Sequence, residues 1–116
     1  MKTIINIAFW YESRCATSFI KTCELPSIPS PGITILDWTN GEDEVSIKLD
    51  NPNEDHILYE LSENTCYIDK NTYLQTLPEV YRQIQSCLRC GWEMEEPHCF
   101  EKFLLQFPDT ENHLTR

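Results

Sequence analysis

The residues best placed to do chemistry are Cys87-Leu88-Arg89-Cys90-Gly91, followed by His98-Cys99. A C-x-x-C-G loop is the usual form of a zinc knuckle, where the glycine lets backbone amides approach two thiolates. Cys87, Cys90, His98 and Cys99 supply four ligands of suitable softness within thirteen residues. Zinc is the metal such a set would suit, and no other cofactor is expected. Two features oppose it. Cys87 continues the apolar stripe of a helix, and His98 and Cys99 are adjacent in the chain, which makes tetrahedral closure awkward. Redox chemistry is opposed as well, because the pair falls at the C-terminal end of that helix, where the dipole disfavours a thiolate. The alternative, and the stronger reading, is that the three cysteines are ordinary buried or half-buried thiols.

Elsewhere the catalytic signals are missing. No Ser or Cys sits in a nucleophile elbow, no Gly-rich loop could hold phosphate, and no H-E-x-x-H or D-x-D-x-D-G pattern occurs. His56 follows Glu54-Asp55, acids that could make it a pH-sensitive point, but a solvated turn histidine is the stronger reading. Nothing in the sequence calls for an enzyme.

Charge is more informative. The net charge is −10, and residues 42–69 hold nine acids against Lys48 alone, a local balance of −8. Residues 70–92 are slightly basic and 93–116 acidic again. A surface of this sign repels nucleic acid and attracts basic proteins. The expected partner is therefore a basic protein surface, met by Glu42, Asp43, Glu44, Asp50, Glu54 and Asp55 with Trp38 as an aromatic anchor. Inhibitor, immunity or anti-defence roles fit a small acidic domain of this kind. Two further readings stand beside it: a zinc-stabilised domain built on the cysteine cluster, and an enzyme or small-ligand binder with a pocket between sheet and helix. A second copy of the chain is another candidate partner, through an uncovered sheet face or the Trp38 side of a hairpin.

These residues must be positioned by a small set of elements. Thr76 to Gly91 is the most decisive. Leu77, Val80/Tyr81, Ile84 and Cys87/Leu88 mark one helical face. Thr76 and Glu79 form a capping box, Pro78 lies in the first turn, and Gly91 can close the helix. Upstream the chain reads as strands. Thr3 to Tyr11 alternates with apolar residues on both faces, the mark of a central strand. Phe19 to Leu25 reads as a second strand pairing back on it, with a short helix as the alternative. Three prolines in residues 26–32 make a stiff crossover. Ile33–Trp38 and Val45–Asp50 form a hairpin about Asn40-Gly41. His56–Leu61 and Cys66–Ile68 continue the series, and residues 99–107 suit helix or strand equally.

The expected architecture is α+β: an antiparallel β-meander, a curled or barrel-like sheet of about five strands, packed against one main helix in the C-terminal half. Residues 1–108 form one domain and 109–116 a polar tail. No apolar run approaches the ~20 residues a bilayer requires, and the N-terminus lacks the continuous apolar stretch of a signal peptide. A cytoplasmic chain with its six cysteines reduced is the expectation.

Overall fold

A computed structural model describes residues 1–39 and 43–114 of the chain. Two long strands open it, β1 (Lys2–Tyr11) and β2 (Arg14–Glu24). Their register runs from Lys2 opposite Glu24 to Tyr11 opposite Arg14, with one irregularity at Phe9/Trp10. The connecting turn is only Glu12-Ser13, both at positive φ (52° and 63°). That is the backbone of a two-residue hairpin turn, built here without the usual Asn or Gly.

The next pair, β3 (Thr34–Thr39) and β4 (Asp43–Lys48), forms a separate two-stranded sheet. The Asn40-Gly41 turn expected between them, and Glu42, lie outside the described residues. Then come β5 (His56–Glu60) and β6 (Thr65–Leu74), antiparallel to each other. Helix α1 spans Leu77–Arg89, a two-residue strand β7 follows at Glu93–Met94, and α2 covers Pro97–Gln106. A 3-10 helix, Pro108–His113, ends the described chain.

The main sheet has the order β5-β6-β1-β2-β7. Its centre is a parallel pair, with Lys2 opposite Thr65 through to Tyr11 opposite Leu74. The α+β class holds. In place of a simple meander the described chain makes three local hairpins and two long-range pairings, β6 parallel to β1 and β7 antiparallel to β2. The sheet is open, with β5 and β7 at its edges, so the described strands close no barrel. Long-range pairing wins here because β1 and β6 each bring an apolar row to the same face, Ile5 and Ile7 beside Cys66 and Ile68. Burial of such side chains contributes ~1.5–3 kcal/mol each.

That face is covered twice. α1 packs on it with Val80, Ile84 and Cys87, all fully buried. The hairpin β3–β4 covers the rest with Val45 and Ile47, while Ser46 and Lys48 face water. α2 continues along β2 beyond β7: Glu95 N–H donates to Ser18 O (2.9 Å), and Arg14 donates to Gln106. Residues 99–107 are thus largely helical, and Phe103 enters the core. The segment read as a polar tail is packed as far as Leu114. Thr110 is fully buried, and the His113 ring stacks on Tyr81 with centroids 4.5 Å apart. Among the described residues no helix is long and apolar enough to cross a membrane.

Candidate functional site

The cysteine motif is explained by how α1 begins and ends. At its start Thr76 Oγ1 accepts from Glu79 N–H (3.3 Å), the N-cap half of the expected capping box, and the Glu79 carboxylate accepts from the Thr76 hydroxyl (3.1 Å) instead of from its backbone N–H. At its end Gly91 takes φ +81°, its N–H donates to Leu88 O (3.3 Å), and Trp92 N–H donates to Cys87 O (2.9 Å). This is a Schellman closure, which needs glycine for the left-handed residue and delivers the next side chain back onto the helix. The delivered side chain is Trp92, which is buried. In the motif, Gly91 therefore serves helix termination.

The four expected metal ligands do not share a site. Cys87 faces the core, where burial first, and then the neighbouring Cys90 thiol and Asp37 carboxylate, push its thiol well above the ordinary range. Cys90 Sγ lies 3.8 Å from Asp37 O and 3.6 Å from Asp43 O. His98 and Cys99 belong to α2. His98 is largely exposed and lies 3.7 Å from Glu101; Cys99 hydrogen-bonds Glu96 (3.3 Å). Cys99 also meets Cys15, whose thiol is pushed up to about 11 by burial and then by Cys99 itself. Among the described residues no three His, Cys, Asp or Glu side chains group to hold a metal ion. The reason is topological: the Schellman turn and β7 direct the chain across β2 before α2 starts.

The acidic residues divide into three groups. Asp50 and Asp55 flank the Lys70 ammonium at 3.3 and 3.0 Å, and Asp55 is buried there. Glu54 accepts from Asn51 (3.2 Å) and Tyr73 OH (3.2 Å). These three brace the β4–β5 connection against β6. Asp43 faces Arg89 at 3.6 Å. Glu44 is exposed and pairs across the hairpin with Trp38. Trp38 is 64% exposed and Leu36, on the same outward row, 50%. The outward face of β3–β4 is thus an apolar pair with a carboxylate beside it, held rigid by Asp37, Val45 and Ile47 on the inward face.

A polar strut fixes that hairpin to the sheet. Asp37 accepts from Lys21 Nζ (2.6 Å) and from Trp92 Nε1 (2.8 Å), and Lys21 also donates to Cys90 O (2.8 Å). The ammonium therefore sits at the C-terminal end of α1, where the dipole favours it, and 5.8 Å above the Trp92 ring. Beside the strut is a cavity of about 220 Å³ lined by Ile5, Cys23, Leu25, Ile35, Asp37 and Trp92, among others. Ligand sites usually occupy ~300–1,000 Å³, and the charged groups here already satisfy one another. Sequence reading missed Lys21 and Asp37 as partners. The available signal was faint: Asp37 interrupts an otherwise apolar hairpin strand at an inward position.

No family model matches the chain, and no curated protein or solved structure matches it either.

Proposed function

We propose that this chain is a small acidic interaction module that binds a basic protein surface through the outward face of β3–β4. The observation that carries the reading is Trp38, an aromatic side chain left 64% exposed on a strand whose other face is locked into the core. Exposed tryptophan on a rigid element is the side chain most often found at the energetic centre of a protein interface. Leu36 extends the apolar anchor, and Glu44 stands across from Trp38. The excess of acid over residues 42–69 supplies the long-range field that would draw in a cationic partner. Asp50, Glu54 and Asp55 act in this reading through that field, since their side chains are engaged with Lys70, Asn51 and Tyr73. Non-enzymatic action in the cytoplasm, of inhibitor or immunity type, belongs to the same proposal.

Affinity capture tests it, comparing the natural chain with Trp38→Ala and Glu44→Lys at low salt and at about 1 M salt. A partner of basic charge, weakened about ten-fold or more by Trp38→Ala and released by salt, is the expected result. A partner held equally by all three chains and unchanged by salt overturns the proposal.

A further inference from the structure

The two edges of the main sheet are treated differently. The β2 side is covered: β7 pairs with Phe19 and Ile20, and α2 follows along the same strand. The β5 side ends the sheet, and among the described residues no strand pairs with its outer edge. Natural edge strands are usually blunted by lysine, proline or a bulge. β5, His56-Ile57-Leu58-Tyr59-Glu60, has none of these, and its register with β6 is unbroken. It also carries Leu58 at 61% exposed, and Leu61 at its end at 81%.

The sequence of this edge is complementary to itself. Two antiparallel copies related by a two-fold axis perpendicular to the sheet keep equivalent faces together only if each residue meets one of the same parity. Leu58 is the one centre of this kind that pairs all five residues. His56 then faces Glu60 of the second copy, Ile57 faces Tyr59, and Leu58 faces itself. An imidazole keeps at least one N–H donor in either protonation state, so it complements a carboxylate throughout. Within each copy Ser62 donates to Glu60 from N and Oγ, which holds that carboxyl below its ordinary pKa and negatively charged. Leu58 is opposite Tyr67 on β6, so the paired leucines would be flanked by a tyrosine on each side. A shift by one residue would place the apolar row of one copy against the opposite face of the other.

We infer that β5 is a self-pairing edge, through which a second copy of this chain extends the five-stranded sheet to a continuous ten-stranded one. Both copies then present their helices on one side and leave the outward hairpin faces apart, so dimerisation and binding at Trp38 are independent.

Sedimentation equilibrium tests the inference on the full chain at about 0.15 M salt, where the −10 charge on each copy is screened beyond ~8 Å. The expected result is a concentration-dependent dimer that Leu58→Lys abolishes while leaving the melting curve of the monomer nearly unchanged. His56→Glu and Glu60→Lys should each weaken the dimer about ten-fold, since the two-fold axis makes every substitution count twice. The double variant should regain most of that loss. Two single variants are included so that one which fails to fold does not remove the test. A chain monomeric up to about 1 mM, a dimer indifferent to Leu58→Lys, or a double variant as weak as the singles overturns the inference.

Discussion

Asp37 is the residue on which the hairpin's attachment turns, and Asp37→Ala is the sharpest test of the fold. The substitution removes the acceptor for Trp92 Nε1 and for Lys21 Nζ. Trp92 is 4% exposed, so its N–H cannot turn to water and is left unsatisfied, at about 1–3 kcal/mol. Lys21 keeps Cys90 O at 2.8 Å and is about one third exposed, so its loss is smaller, below about 1 kcal/mol. A total near 2–3 kcal/mol in a chain of 116 residues lowers the melting temperature by about 8–12 °C. Thermal unfolding followed by far-UV circular dichroism measures this directly. The mechanism is isolated by a cycle with Trp92→Phe, which deletes the donor and keeps an aromatic ring. In that background Asp37→Ala should cost about 1–2 kcal/mol less than in the natural chain. If the two substitutions are additive, or if Asp37→Ala alone costs under about 0.5 kcal/mol, the strut does not hold the hairpin and the reasoning fails.

Other consequences are independent of that one. Thr76→Ala removes the capping oxygen of α1 and should cost about 1 kcal/mol in urea unfolding, with Thr76→Ser close to neutral. Ile84→Ala, at a fully buried position facing the sheet, should cost about 2–5 kcal/mol, whereas Leu105→Ala on the exposed side of α2 should stay within about 0.5 kcal/mol. The Glu12-Ser13 turn holds two ordinary residues at positive φ; Glu12→Asn with Ser13→Gly should raise stability by about 1 kcal/mol, and an unchanged or lower midpoint would speak against that conformation. The raised thiol of Cys15 makes an alkaline prediction. The folded chain holds this proton to about pH 11 while the unfolded chain releases it near 9. The resulting stability is complete below pH 9 and is lost as pH rises towards 11. The melting temperature should therefore fall across that window, less steeply in Cys15→Ala.

Local signals were read well. The Thr76 cap, Pro78 in the first turn and Gly91 after the last are statements about neighbouring backbone groups, and α1 lies where they place it. The central position of β1 followed from apolar residues on both its faces. α2 was ambiguous because Phe100, Phe103, Leu104 and Phe107 have helical spacing while the short run Lys102–Phe107 reads equally as a closing strand. The second strand is expected only from Phe19, because Glu12-Ser13 carries no Asn-Gly signal to mark a tight turn; β2 begins at Arg14. At the candidate site, Trp38 could be proposed as exposed from its neighbours alone. The division of the acids between Lys70, Arg89 and solvent could not, because those partners come from β6 and α1.

Sequence alone determined the capped helix, the hairpins and the acidic character, since each depends on residues a few positions apart or on simple counts. Tertiary structure decided the rest. It set β6 parallel to β1 across more than sixty residues, a pairing chosen by shared burial rather than by any local code. It turned C-x-x-C-G into a helix closure that buries Trp92, and it separated Cys87 and Cys90 from His98 and Cys99 by sending the chain across β2. Spacing can bring ligands near one another along a chain, but only the path of the backbone decides whether they meet.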